Sequence, residues 1–317
     1  MTKTLTDHHA EEWHADIEIT EDIVKKILQE QFAQLNPIID IQYIGEGWDN
    51  KVFLINKKTI FRFPRRKLAV ELQGQENIIL KNIPDFSNIR IPQLQFIGQP
   101  TPLYPYPFQG YEMIPGLPGY QANLSMEDRS ASIATVALFL KQLHNINSTQ
   151  ARALGVIPQS TDNLSNVEHA ISGLEKCVAK ISTRGLCNIN RDCLKQEIAA
   201  AKELVLLEEP CLVHGDLDGR QLIFNDKKLT GIIDWGDIDI TNRAADLDVI
   251  WSFYPSSCHA TFFEIYGRVE PDTWKYARFL ALYTTFSLML YGKDVQDGNL
   301  VTEATHSIIR INPNLLI

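Results

Sequence analysis

The sequence predicts an α+β fold in two parts, a sheet-rich first part and a larger, mostly helical second one. Three observations carry that expectation. At 317 residues the chain is long for one hydrophobic core and suits two. Short apolar runs separated by tight turns fill residues 39–64. After Gly116 the apolar residues recur at helical spacing, in segments long enough for several turns.

Taken in order, V-F-L-I at 52–55 and T-I-F-R-F at 59–63 flank the polar turn Asn56, Lys57 and Lys58, and read as a hairpin. Residues 68–83 switch to a helical pattern. Residues 92–97 and 109–113 return to extended character, the second between Pro107 and Pro115. S-M-E-D at 125–128 has the form of a capping box, and Ile133, Val136, Leu140 and Leu143 behind it mark one buried helix face. Residues 166–181 and 191–206 read as further helices. Residues 211–213, 222–224 and 231–233 read as short buried strands set among turns, and residues 271–291 and 301–309 as closing helices. No repeat of fixed period and no low-complexity linker interrupts the order.

Composition narrows the function classes. Hydrophobic residues make up 44% and charged residues 22%, as in ordinary soluble globular proteins. A formal net charge of −9 gives no support to a nucleic-acid or anionic-membrane partner. Residues 1–20 are polar, with His8, His9, Glu11, Glu12 and Asp16, so no signal peptide is expected there. The apolar stretch 279–291 is too short to span a bilayer and holds Thr284, Thr285 and Ser287. Cys177, Cys187, Cys193, Cys211 and Cys258 form no C-x-x-C pair, which fits a reducing compartment and a cytoplasmic location.

The sharpest chemical signal is V-H-G-D-L-D-G-R-Q-L-I-F at 213–224, followed by G-I-I-D-W-G-D at 231–237. A strand delivers Asp216 on a tight turn at Gly215, and a hairpin brings Asp234 back beside it. One carboxylate can then orient and accept the proton of an attacking hydroxyl. The other can hold Mg²⁺ against triphosphate oxygens, with the Gln221 side-chain carbonyl within reach of the same metal. The competing reading, two Asp residues that merely cap turns, suits either alone better than the pair.

These residues resemble the catalytic loop and metal-binding turn of the aminoglycoside phosphotransferase family, whose pattern is roughly H-G-D-L-H-x-x-N and then I-D-[WF]. The family includes macrolide and small-metabolite kinases. The resemblance implies a protein-kinase-like two-lobed fold: an N-lobe antiparallel sheet with one main helix, and a larger, mostly helical C-lobe. It implies Asp216 as catalytic base, Asp234 and Gln221 at Mg²⁺, and ATP or GTP as donor between the lobes. Two positions depart from the pattern: Asp218 stands where the family usually has His, and Gln221 where it usually has Asn.

I-G-E-G-W-D-N-K-V at 44–52 resembles the family's phosphate-covering turn, with Gly45 and Gly47 present and Asn50 in place of the last glycine. F-R-F-P-R-R at 61–66 falls where the family places a phosphate-pairing lysine. Arg62 takes that position, and Glu76 in Q-E-N-I-I-L at 75–80 is its expected partner. Arg65, Arg66 and Lys67 read as a solvated basic turn. Y-E-M-I-P-G at 111–116 resembles the segment whose backbone at Glu112 and Ile114 meets the nucleotide base. His144, in L-H-N-I at 143–146, and Asp246 read as structural, Asp246 tying down the catalytic segment.

The expected organisation is a helical N-terminal extension over residues 1–38, an N-lobe over 39–111, a hinge over 112–118 and a C-lobe over 119–317. The expected activity is phosphoryl transfer to a hydroxyl of a small molecule of aminoglycoside type, and by resemblance to antibiotic resistance enzymes. Asp218 and Asp237 are candidates to meet substrate ammonium groups. A macrolide or small hydroxylated metabolite is the alternative acceptor. A degenerate kinase-like protein that binds nucleotide without catalysis is the alternative of another class, motivated by Arg62, Gln221 and Asp218.

Overall fold

The computed structural model describes residues 17–47, 49–86, 89–158 and 166–317. Residues 1–16 of the expected N-terminal extension, and Trp48 in the glycine-rich turn, lie outside the described residues. The described chain divides into two compact units, one of residues up to 85 with 91–114, the other of residues 86–90 with 115–317.

In the N-terminal unit the order is α1 (Glu21–Gln31), β1 (Ile41–Glu46), β2 (Asn50–Ile55), β3 (Thr59–Pro64), α2 (Lys67–Asn82), β4 (Leu94–Gly98) and β5 (Phe108–Glu112). The strands form one antiparallel sheet in the order β1-β2-β3-β5-β4. Thr20 caps α1, accepting the Ile23 N–H, and Glu21 and Asp22 in the first turn suit the helix dipole. Val24, Ile27, Leu28 and Phe32 then pack into a core with Phe53, Phe61, Phe63, Tyr104 and Phe108. The Phe63 and Phe108 rings stack with centroids 4.6 Å apart, an arrangement worth about 0.5–1.5 kcal/mol beyond burial.

Strand alternation places Arg62 on the face opposite Phe61 and Phe63. The β2–β3 turn has Asn56 and Lys57 in the left-handed region, at φ 52° and 55°. Asn56 uses its whole side-chain amide there. Its Oδ1 accepts from the backbone N–H groups of Ile39 and Asp40, and its Nδ2 donates to the Leu35 and Pro37 carbonyls.

The second unit runs β6 (Leu117–Pro118), α3 (Met126–Ala131), α4 (Ile133–His144), α5 (Ser148–Ala153), α6 (Val167–Arg184) and α7 (Arg191–Lys202). It continues with β7 (Cys211–Val213), β8 (Leu222–Asn225), β9 (Lys228–Ile232), β10 (Asp239–Thr241), α8 (Ala244–Ser252), α9 (His259–Tyr266), α10 (Pro271–Asp294) and α11 (Gly298–Ile311). The capping box forms: Asp128 N–H donates to Ser125 Oγ while Ser125 N–H donates to Asp128 Oδ2. The helix it opens is short, because the chain breaks at Ser132 before α4 begins.

Two small antiparallel pieces position the chemistry. β7 pairs with β10, and β8 pairs with β9 and β6. The loop between β7 and β8 carries Asp216, and the loop between β9 and β10 carries Asp234, so the two pairings bring both loops to the same end. The sequence pattern misses α8, and the reason is its burial. Residues Ala244 to Ile250 are all buried, so the helix has no polar face and hence no helical periodicity.

Candidate active site

Gly215 opens the first loop. Its φ is 88°, and a Cβ placed there would sit 2.0 Å from the Asp237 carbonyl oxygen, so only glycine lets the two loops approach this closely. Asp246, from α8, anchors the same point. Its Oδ2 accepts the His214 backbone N–H at 2.8 Å and its Oδ1 the Gly215 N–H at 2.9 Å. His144 Nε2 lies 3.0 Å from Asp246 Oδ2, and His144 Nδ1 lies 2.6 Å from the Tyr266 hydroxyl. A carboxylate can only accept, so Nε2 donates to Asp246. Burial alone would raise the Asp246 carboxyl, but His144, His214 and the Gly215 N–H together hold it below the usual carboxylate range. Asp246 thus ties down the segment that carries Asp216, and His144 holds Asp246 in turn.

The His214 ring crosses to the second loop, its Nε2 donating to the Ile233 carbonyl at 3.1 Å. It is fully buried and packs edge-on to Trp235, with centroids 4.9 Å apart. Burial pushes its pKa down, and its Nδ1 has no hydrogen-bond partner among the described residues, as suits a neutral ring. Asp234 sits next in the left-handed region at φ 65°, a conformation costing roughly 1–2 kcal/mol for an L-residue and one that Asp tolerates better than most. Such strain gathers at functional turns.

Asp216 lies in a charged cluster. Arg220 Nη2 is 3.0 Å from each Asp216 carboxylate oxygen, and Gln221 Nε2 donates to Oδ2 at 3.0 Å. Burial first, then Asp218, Asp237 and Asp234, push the Asp216 carboxyl up, while Arg220 pulls it down. Each hydrogen-bond neighbour of the carboxylate is a donor, so the ionised form is the one this geometry fits. Asp218 places both of its oxygens on the Arg220 Nε, at 3.1 and 2.9 Å. Gln221 Oε1 accepts the Asp218 N–H at 3.2 Å, a contact that leaves one carbonyl lone pair open.

In the N-terminal unit Arg62 Nη1 meets Glu76 Oε1 at 2.6 Å, with the two residues 8% and 1% exposed. Gln109, the cross-strand neighbour of Arg62, donates to the other Glu76 oxygen at 3.1 Å. Arg65 and Arg66 do not form a solvated turn. Arg65 Nη1 donates to the Gly47 carbonyl at 2.9 Å, and Arg66 Nε donates to Asp49 Oδ1 at 2.8 Å, so this pair braces the glycine-rich turn. Gly45 and Gly47 have open space where a Cβ would stand. The Met113 N–H donates to Lys58 O, so alternation turns the backbone of Glu112 and Ile114 to the other edge of β5.

Sequence reasoning missed Arg220, Gln109 and the bracing pair. The D-L-D-G-R spacing, acid, acid and base two residues apart, was the available signal for Arg220. Gln109 had none, because only the strand register shows it opposite Arg62.

The profile of the phosphotransferase enzyme family matches residues 40–280. The chain belongs to that family. An aminoglycoside 3'-phosphotransferase from Escherichia coli is 26% identical over 163 residues, covering 50% of this chain and 58% of that protein. The chain thus spans little more than half the length of the curated relatives it matches. Among solved structures, the GDP complex of aminoglycoside 2'-phosphotransferase-IIIa has a TM-score of 0.69 at 21% identity, covering 93% of this chain and 99% of that one. A macrolide 2'-phosphotransferase from Brachybacterium faecium has a TM-score of 0.59 at 18% identity, over 91% and 98% of the two chains. The antiparallel N-terminal sheet and helical C-terminal part are the family's kinase-like fold, as the sequence resemblance implied. No helix among the described residues is long and apolar enough to cross a membrane.

Proposed function

We propose that the protein transfers the γ-phosphoryl of ATP or GTP to a hydroxyl of an aminoglycoside-type acceptor, in the cytoplasm. The observation that carries this reading is the pairing of two loops that sets Asp216 and Asp234 at one end of β7–β10 and β8–β9, beside family membership. Asp216 is the acceptor-side carboxylate: it receives the hydroxyl hydrogen and aims the oxygen at phosphorus. Phosphoryl transfer of this kind demands position and charge more than covalent help, so an oriented carboxylate suffices.

Arg62, fixed by Glu76 and Gln109, serves the phosphate side, with the Gly45–Gly47 turn covering it and the Glu112 and Ile114 backbone meeting the base. Mg²⁺ fits the donors present. Among the described residues no three His, Cys, Asp or Glu side chains gather as a closed metal site, and magnesium bound to nucleotide needs only one or two protein carboxylates. Asp234 would hold it, with the second lone pair of Gln221 Oε1, and the ion would neutralise triphosphate charge. Asp237 remains a candidate for a substrate ammonium. Asp218 is set aside in this reading, because it is buried and Arg220 places four N–H contacts on its two oxygens.

The test is transfer from γ-labelled ATP or GTP to kanamycin, gentamicin, streptomycin and erythromycin, the last for the macrolide alternative that the Brachybacterium faecium likeness raises. Asp216→Asn should cut turnover by about 10²–10⁴-fold with nucleotide affinity unchanged. Nucleotide binding with no transfer to any acceptor would favour the degenerate binder instead.

A further inference from the structure

We infer that Arg220 is a positioning residue for Asp216, and that Asp218 is the counter-charge that holds Arg220 in place. The assignment rests on the proposed role of Asp216. Its geometry is independent of that role.

Five residues after the strand end, the chain folds back on itself through charge. The Arg220 backbone N–H donates to Asp218 Oδ1 at 2.7 Å, fixing the side chain two residues back in a tight turn. The guanidinium then spans both carboxylates. Nε sits on Asp218, and Nη2 sits on Asp218 Oδ2 at 2.7 Å and on both Asp216 oxygens at 3.0 Å. Gln221 closes the ring, with its NH₂ on Asp216 and its oxygen on the Asp218 N–H.

A planar fork with fixed donor directions is needed for this. A lysine ammonium could bridge the two carboxylates as Nη2 does, but it is a single point and lacks the second nitrogen, Nε, that holds Asp218 in a fixed plane. The arrangement does two things for Asp216. It removes rotamer freedom from the carboxylate, and it neutralises one of the two adjacent negative charges, so the trio carries −1 and not −2. Three donor contacts still leave the carboxylate a lone-pair direction for an incoming hydroxyl, since two oxygens offer about four. A carboxylate held against a guanidinium is a weak proton acceptor and a good director, which matches the loose transition state of phosphoryl transfer.

The position usually held by His in this family therefore has a physical role here. Asp218 is the anchor that makes Arg220 usable, and the two residues form one unit.

The experiment has two arms. Chemical denaturation compares Arg220→Ala in the wild-type background with Arg220→Ala in an Asp216→Asn, Asp218→Asn background. The inference requires a lowered midpoint in the first and a nearly unchanged one in the second, because the stranded charges are gone. Equal losses in both backgrounds would overturn the network whether or not the protein is an active kinase.

The kinetic arm uses the acceptor of the panel above that the wild type phosphorylates. Arg220→Ala should lower kcat about 100-fold while the nucleotide KM stays within about threefold. Arg220→Lys should recover little, and free guanidinium added at millimolar concentration should restore part of the Arg220→Ala loss. A kcat within about twofold of wild type, or no guanidinium rescue in a folded variant, refutes the positioning role. A wild type inactive on all four acceptors counts against the proposed function, and the denaturation arm still decides the Arg220 network.

Discussion

Asp246→Ala is the perturbation whose cost can be worked most directly from the structure. The carboxylate is fully buried and accepts two backbone N–H groups and the His144 ring. Removing it strands the His214 and Gly215 N–H groups, each at about 1–3 kcal/mol. It also leaves His144 with Tyr266 as its sole remaining partner of the two. Relief of one buried charge offsets part of this, so the expected loss is about 3–5 kcal/mol. That is a large share of a typical total of about 5–15 kcal/mol.

The same change frees the turn one residue ahead of Asp216. A displacement of about 1 Å there costs roughly 10²-fold in turnover, because the near-attack geometry is lost. Asp246→Asn should fall between, since its oxygen can still accept while its NH₂ faces a second N–H donor. The assay is urea denaturation read by circular dichroism, with transfer kinetics on whatever remains folded. A stability loss below about 1 kcal/mol would refute the anchoring argument, because it is less than one stranded buried donor should cost.

Arg62→Ala removes the guanidinium from the buried Glu76 carboxylate and should cost about 3 kcal/mol in stability together with triphosphate affinity, measured by denaturation and by nucleotide titration. Unchanged nucleotide affinity would return Arg62 to a purely structural role. The depressed His214 pKa makes stability pH-dependent with a definite sign. The unfolded chain takes up the proton first as pH falls, so this contribution is full above the ordinary histidine pKa of about 6.5 and shrinks as pH drops through it. His214→Gln should therefore flatten the fall in denaturation midpoint between about pH 7.5 and about pH 5.5, and an unchanged slope would rule the residue out as its source. Gly215→Ala should abolish turnover and lower the melting temperature, because the added methyl meets the Asp237 carbonyl and φ of 88° disfavours it. A wild-type-like Gly215→Ala protein would show that the two loops need not approach so closely.

Where burial was one-sided, the sequence was readable. The β2–β3 hairpin, α2 and α4 appear where apolar spacing placed them, within a few residues at their ends. α8 was hidden because nearly every side chain in it is buried. At the site, the proximity of Asp216 and Asp234 was legible, since short strands and tight turns leave few other ways to fold residues 211–237. Partners were harder to read than positions. Arg65 and Arg66 looked like solvated charge because a basic run carries no mark of the carbonyl or carboxylate it will meet. Arg62 was expected to pair with Glu76 from the family resemblance and helix spacing, whereas the third member, Gln109, depends on cross-strand register.

The β2–β3 turn has a consequence for which kinds of change the chain can absorb. β3 presents Phe61 and Phe63 to the aromatic core on one side and Arg62 to Glu76 on the other. A slip of one residue would drive a guanidinium into the core and a phenyl ring into the ion pair. The turn that sets this register is itself pinned by the four hydrogen bonds of the Asn56 amide to the segment ahead of β1. Point substitutions along β3 can therefore be graded in effect, but a single inserted or deleted residue between Asn56 and Lys58 cannot be. Such a length change would exchange the two faces of the strand at once, removing core and ion pair in the same event, so this loop should be far less tolerant of indels than its exposure suggests.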